Sequence, residues 1–346
     1  MSHSVHHDAR PVSSLNLNPS LRAKLAKSGY RTVHDLEEAS PVELSKELGI
    51  PNEEAVRIFQ QIRKGITQTF SAAESLERER QRRGISTSST ALDDLLGGSG
   101  VPVCKITEFC GEPGIGKTQL GIQLSVNVQI PAALSGAAGE AIYIDTEGSF
   151  IAQRVAEMAG VMVERVNGQL RDGVDGMLTL DTVLSRIHYF RVHDFVELLA
   201  LMRILDEFLK SHPKVKLVVV DSIAFHFRLN FPDMALRTRL LNSVAQTLMQ
   251  LASDFDLAVV LMNQMTTKLE QSKLVPALGE SWGHASTNRV ILYQRSNMRH
   301  ALLYKSPNLQ ERTIQYQIVA AGITDVIKLD NLSSRKRPLE PDDDAV

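Results

Sequence analysis

Cysteine is nearly absent from this chain: two of 346 residues, Cys104 and Cys110. They lie within an apolar, strand-like stretch. They offer neither a disulfide scaffold nor the paired spacing of a metal site, which favours a reducing compartment. Both are expected as small core residues. A dominant charge is lacking too, since 38 Lys and Arg stand against 40 Asp and Glu. That balance excludes a histone-like basic coat and an acidic, disordered solvator. No apolar run approaches the roughly 18 residues of a membrane helix, so no membrane partner is expected. Residues 1–10 are polar and His-rich, without the apolar stretch of a signal peptide. What the chain does have is apolar material, 43% of its residues, enough for at least one large core. Its length suggests two or three units.

Composition shifts divide the sequence. Residues 1–66 read as a small helical domain. Asn18-Pro19 marks one helix start, and Ser40-Pro41-Val42-Glu43 places an N-cap, a first-turn proline and an acid three residues on. Leu48-Gly49-Ile50-Pro51 then puts a glycine turn before another helix, the pattern of a helix-hairpin-helix whose N–H groups can meet a phosphate. A plain helical bundle used for protein contacts fits the same residues. Residues 67–88 form a charged linker, as Glu77-Arg78-Glu79-Arg80-Gln81-Arg82-Arg83 illustrates. From 89 to 331, apolar β-branched runs alternate with helical stretches. Strands are expected at 105–110, 141–145, 216–221, 257–263, 289–294 and 301–305, and helices at 118–128, 150–159, 194–210 and 236–254. This α/β order predicts a doubly wound, mostly parallel sheet with its chemistry at the carboxyl ends of the strands. Residues 332–346 read as a disordered basic and acidic tail.

Gly111-Glu112-Pro113-Gly114-Ile115-Gly116-Lys117-Thr118 fits the phosphate-binding pattern G-x-x-x-x-G-K-[ST] in full and sits between an expected strand and an expected helix. The glycines permit positive φ and close backbone approach, so successive N–H groups can surround a β-phosphate at a positive helix end. Lys117 would reach the β- and γ-phosphates and Thr118 would ligate Mg²⁺; Gln119 completes the candidate nucleotide set. The apolar run Leu217-Val218-Val219-Val220 ends in Asp221, a second magnesium ligand of the expected kind. Hydrolysis also needs a group to orient or deprotonate water. Glu147, in the acidic turn after Tyr143-Ile144-Asp145, is the candidate base, although an exposed loop acid fits the same spacing. Gln264, after Met262-Asn263, is a candidate γ-phosphate switch or simply a polar strand end.

Several ordered blocks carry a resemblance. Tyr143-Ile144-Asp145-Thr146-Glu147-Gly148-Ser149-Phe150 with Arg154, then Asn263-Gln264, then Gly283-His284-Ala285-Ser286-Thr287-Asn288-Arg289, resemble the RecA-like recombinase family in its eukaryotic form, over nearly the whole chain. Leu236-Arg237-Thr238-Arg239-Leu240-Leu241-Asn242 and Gly279-Glu280-Ser281-Trp282 are similar to an accessory paralogue of that family rather than to its strand-exchange enzyme. The resemblance implies an ATP- and Mg²⁺-binding, DNA-dependent ATPase of homologous recombination, with a self-sufficient strand-exchange recombinase and a non-hydrolysing ATP-bound scaffold as alternatives. In it Glu147 activates water, Gln264 senses the γ-phosphate and Arg154 stacks on adenine. It implies two DNA loops, about 225–234 and 265–280, offering Arg228, Lys268 and Lys273 for modest, salt-sensitive binding. Both loops could instead contact another subunit. The implied partners are sister paralogues, the main recombinase, and single-stranded and branched DNA. Phe70-Ser71-Ala72-Ala73 resembles the family's oligomerisation tether, or else is an ordinary helix start. Where the family has an acidic turn, this chain has Lys305-Ser306-Pro307, so a positive charge is expected to face a neighbour's nucleotide, joined by His284. Arg335-Lys336-Arg337 suits a nuclear signal or a solvated tail; nuclear localisation is expected, with the cytoplasm as a further location.

Overall fold

The computed structural model describes residues 11–15, 17–37, 39–64, 70–170, 177–228, 231, 233–268 and 273–326. The tail expected over 332–346, with its basic cluster, lies outside them. The chain divides into two compact units, Met1–Gln81 and Arg82–Val346.

In the first unit, α1 (Pro19–Lys27), α2 (Val33–Glu37), α3 (Pro41–Leu48) and α4 (Asn52–Lys64) bury Leu25, Val33, Leu36, Leu44, Ala55 and Ile58. The starts follow the sequence signals. The Asn18 side chain accepts the Leu21 N–H at 2.7 Å, and Ser40 and Glu43 form a reciprocal capping box. Gly49 ends α3 at φ 57°, the left-handed value the hairpin turn requires. A further helix, α5 (Ala72–Gln81), buries none of its residues. Local caps hold it instead: Glu74 accepts the Ser71 N–H at 2.7 Å, and Ser71 accepts the Glu74 N–H at 3.2 Å.

The second unit begins with α6 (Thr90–Leu95) and is built on a sheet. Its strands are β1 (Ile106–Gly111), β2 (Glu140–Asp145), β3 (Ile187–Arg191), β4 (Val215–Asp221), β5 (Ala258–Lys268), β6 (Lys273–Pro276), β7 (Asn288–Arg295), β8 (Met298–Lys305), β9 (Thr313–Val319) and β10 (Gly322–Asp325). The order is β10-β9-β8-β7-β1-β5-β4-β2-β3, with β6 paired to β5 outside this path. Strands β7-β1-β5-β4-β2-β3 run parallel, and the antiparallel β8–β10 extend one side. Helices α7 (Lys117–Asn127), α8 (Ala152–Gln169) and α9 (Leu180–Ser185) pack on the face that holds Leu217 and Val219. Helices α10 (Phe195–Ser211) and α12 (Met234–Asp254) cover Val218 and Val220 on the other face, after the short α11 (Phe225–Arg228). With alternate β4 residues buried on both faces, the strand has no polar alternation, as its sequence predicts. Register then sets the site: Asp145 pairs with Asp221, and Gly111 with Gln264, at the carboxyl ends.

The β9–β10 hairpin closes the core against its beginning. Asp325 accepts the N–H groups of Thr90 and Ala91 at 3.0 and 3.1 Å, at the start of α6. The buried Gln123 of α7 donates to Thr87 O at 2.6 Å and Ile323 O at 2.9 Å, and accepts the Ile323 N–H. Cys110 is buried as expected, but Cys104 is not a core residue. It occupies a turn at φ 59°, is only partly buried, and points its thiol at Asp256 Oδ1, 3.1 Å away. Burial, foremost, and then Asp256 push that thiol up to about 12, so it is not a nucleophile at neutral pH. Among the described residues no helix is long and apolar enough to cross a membrane.

Candidate functional site

Strand β1 delivers the loop 111–118 to α7. Gly114 and Gly116 take φ of 78° and 113°, which L side chains rarely adopt, and the space beside Gly114 is open. The loop is closed from behind: a Cβ on Gly111 would lie 2.7 Å from Ile115 Cγ2, and one on Gly116 2.5 Å from Ile318 Cδ1. Lys117 Nζ donates to Gly111 O at 2.8 Å and Glu112 O at 2.9 Å, so the ammonium spans the mouth of the loop. Its pKa is lowered, mainly by burial, with Asp221 and Glu147 opposing the shift. An open glycine cradle crossed by a half-desolvated cation fits a polyphosphate.

Thr118 Oγ1 donates to Asp221 Oδ2 at 2.7 Å, and Tyr143 OH donates to the same oxygen at 2.8 Å. Asp221 is 2% exposed. Its pKa is raised by burial, against the two hydroxyls and Lys117. A carboxylate beside a hydroxyl, both hard oxygen donors next to a phosphate cradle, suits Mg²⁺. The sign of the shift gives a prediction. A carboxyl whose folded pKa is raised favours the folded state below the ordinary value of about 3.9 and loses that contribution as pH rises through the folded value. Asp221→Asn removes the penalty. Without magnesium, its urea midpoint should therefore exceed that of the wild type at neutral pH, and the gain should shrink on acidification toward about pH 4. A gain independent of pH would contradict the burial account.

The acidic turn after β2 is organised by Asp145, whose role no motif spacing announces. Its buried Oδ1 accepts the N–H groups of Glu147, Gly148 and Ser149 at 3.1, 2.7 and 3.2 Å, and Oδ2 accepts that of Phe150 at 3.2 Å. The legible signal was an acid at a strand end facing four N–H groups before the next helix. The turn aims Glu147 toward β4 and β5. Glu147 Oε1 accepts from Ser222 Oγ and, at 2.5 Å, from Gln264 Nε2. The exposed Arg228 in turn donates to Gln264 Oε1. One contiguous chain, Arg228–Gln264–Glu147–Ser222, thus runs from the segment after β4 to the residue next to Asp221.

A model of the Rad51 family matches residues 78–326. The chain belongs to the Rad51 family. It is similar to DNA repair protein RAD51 homolog 3 of Cricetulus griseus, 44% identical over 364 residues that cover 96% of this chain and 99% of that one. It is also similar to the protein of the same name from Dictyostelium discoideum, 47% identical over 250 residues, 70% of this chain and 65% of that one.

Other candidates in this Rad51-family chain fall away from the phosphate cradle. Arg154 Nε donates to Gln119 Oε1 at 2.8 Å, and its terminal nitrogens donate to Glu157, Ala320 O and Val319 O. The guanidinium therefore joins α8 to the start of α7 and to the β9–β10 turn. Lys268 and Lys273 are paired at the end of the β5–β6 ladder next to residues 269–272. Phe231, within the expected first loop, is partly buried and packs against Phe195 and Phe227, with ring centroids 5.1 and 5.9 Å apart. His284, Lys305 and Pro307 line one cavity of about 270 Å³. The charge expected to project from Lys305 is instead turned inward: Nζ donates to Gly283 O at 2.8 Å and Ser286 O at 2.6 Å, and burial lowers its pKa. The nearby carbonyls outcompete solvent for the ammonium. In the first unit Phe70 is 41% exposed, Ala73 is exposed, and the Arg78 guanidinium lies 3.5 Å from the Phe70 ring centroid.

Proposed function

We propose that this chain is a DNA-dependent ATPase of homologous recombination and double-strand-break repair, a recombinase paralogue that assembles with sister paralogues. In this role it promotes loading or stabilisation of the main recombinase on single-stranded DNA and the processing of branched junctions, in the nucleus. ATP occupies the loop 111–118 with Arg154 at its base. Thr118 and Asp221 hold Mg²⁺, which neutralises phosphate charge. Glu147 takes the proton of the attacking water, and Gln264 meets the γ-phosphate end. The working parts are a helical domain (1–66), a tethering linker (67–88), the ATPase core (89–331) and a tail (332–346).

The observation that carries this reading is the contiguous chain Arg228–Gln264–Glu147. A cation on the first DNA-loop segment holds one end of the amide whose other end holds the base. DNA phosphate, by drawing Arg228 away, would free Gln264 to turn toward nucleotide, and loss of the γ-phosphate would reverse the change. Lys268 and Lys273, across one hairpin, supply further phosphate contacts. The 44% identity to a protein named for DNA repair supports the same class. ATP turnover by the purified chain, with and without single-stranded DNA, tests it. Stimulation is expected; bound but unhydrolysed ATP would reduce the chain to a nucleotide-stabilised scaffold.

Partner assembly rests on Phe70 and Ala73, with His284 and Pro307 beside the inward-turned Lys305. An exposed aromatic just before a capped, otherwise solvated helix is the kind of anchor that fills a neighbour's pocket. Phe70→Glu leaves the Ser71–Glu74 cap intact, so α5 should persist while the partner is released. Loss of about 2 kcal/mol or more, roughly 30-fold in Kd, is expected by interface titration. An unchanged Kd would reject the tether.

A further inference from the structure

Strand β1 carries a charge where its sheet position calls for an apolar residue. Glu108 is fully buried, three residues before Gly111. Its Oε1 accepts from Asn263 Nδ2 at 2.7 Å and from Trp282 Nε1 at 2.9 Å, and its Oε2 accepts from Arg289 Nε at 2.7 Å. Arg289 is 6% exposed, Trp282 2% and Asn263 0%. Asn263 gives its remaining amide hydrogen to Ala277 O at 3.1 Å, so both acceptors fix the amide with its nitrogen toward them. Such a buried ion pair is a weak source of stability, because apolar residues of equal volume often serve as well. Its worth lies in what it joins.

Strands β5 and β7 are already locked to β1 by backbone pairing, with Cys110 opposite Asn263 and Glu108 opposite Arg289. The element that strand pairing does not hold is the return limb of the second loop beyond Ala277, Leu278 to His284, which Lys305 also reaches at Gly283 O. Glu108 grips that limb through Trp282 directly and through Asn263 to Ala277. Asn263 is the immediate neighbour of Gln264, whose carbonyl accepts the Ala277 N–H at 2.8 Å. Any shift of the limb from Ala277 to His284 is therefore felt at Asn263, at Gln264 and on the strand that ends in the phosphate cradle.

We infer that Glu108 is a positioning residue that couples the second loop to the nucleotide site, through Trp282 and Asn263. The inference rests on the ATPase reading above and names a residue which that reading does not use. Coupling is measured as the ratio of single-stranded DNA affinities with and without nucleotide. A slowly hydrolysed ATP analogue with Mg²⁺ and a dye-labelled oligothymidylate serve as probes on the full chain.

In the wild type the analogue should strengthen oligothymidylate binding at least about fivefold. The pair Glu108→Gln with Arg289→Gln removes both charges together, so neither is left buried alone. It should bring the ratio to within about twofold of one while the analogue's own Kd moves less than about twofold, since no nucleotide contact is touched. Trp282→Phe removes the indole N–H together with part of the ring system, so it should lower the thermal midpoint somewhat and give an intermediate ratio. A merely structural Glu108 would lower the midpoint and leave the ratio alone. If the pair does not fold, Trp282→Phe decides: a wild-type ratio overturns the inference. A wild-type chain with no nucleotide effect on DNA would instead sink the underlying reading.

Discussion

Lys117→Ala is expected to abolish retention of ATP. The ammonium already stands across the loop mouth, donating to Gly111 O and Glu112 O. Burial lowers its pKa, and only Asp221, Glu147, Cys110 and Glu112 oppose that shift. A polyphosphate would supply the anion this half-buried cation lacks, through charge-assisted hydrogen bonds worth roughly 1.5–3 kcal/mol each. Two such bonds lost give about 3–6 kcal/mol, or more than about a hundredfold in Kd. Calorimetric titration with ATP and Mg²⁺ measures it, and a thermal scan supplies the control. ATP should raise the midpoint of the wild type and leave the variant unmoved, while the nucleotide-free midpoints differ little. Retained binding would mean that the triphosphate does not sit against Lys117 in the glycine cradle.

Glu147→Gln should separate binding from turnover. A positioned general base contributes about 10²- to 10⁴-fold to rate, so hydrolysis should fall at least about a hundredfold while ATP affinity stays near wild type. Its hydrogen-bonding frame supports that split. The turn that carries Glu147 is built by Asp145 from backbone N–H groups, so the substitution leaves the backbone untouched. One complication is chemical. Glu147 Oε1 accepts from both Ser222 and Gln264, and a glutamine retains one acceptor oxygen for them. Single-turnover hydrolysis of radiolabelled ATP reads the effect without product release intervening. Wild-type turnover in the variant would remove Glu147 from the mechanism and leave it a support for Gln264.

The parallel core was legible because its strands are continuous apolar runs: Leu217-Val218-Val219-Val220 cannot be half-buried. Strand β3 escaped notice for the converse reason. At the sheet edge it carries His188, Tyr189 and Arg191, none of them buried, and no period-two or apolar signal survives. Strand β9 alternates Ile314, Tyr316 and Ile318 with Gln315 and Gln317, a period-two signal. Strand β10, in contrast, has only four residues and is tied to distant sequence by Gln123 at Ile323 and by its own Asp325 at Thr90 and Ala91. Helix α8 runs on to Gln169 because Met162 and Val166 still face the core. In the site, the glycine loop and the strand-end acid announce themselves by spacing. Tyr143 does not, since its bond to Asp221 depends on register between strands, while Asp145 acts locally on the N–H groups that follow it. Lys305 misled for a related reason: a cation in a surface-like tripeptide reads as outward-facing, and only the fold brings two carbonyls to it.

The clasp between Asp325 and the start of α6, together with Gln123 bridging Thr87 and Ile323, binds positions more than two hundred residues apart. On the ribosome, the glycine cradle emerges early but its helix must wait for nearly the whole polypeptide before its last partners exist. The nascent chain thus passes through a long interval in which the nucleotide pocket is synthesised but unbraced, and during that interval a chaperone, or ATP itself, has the most to offer.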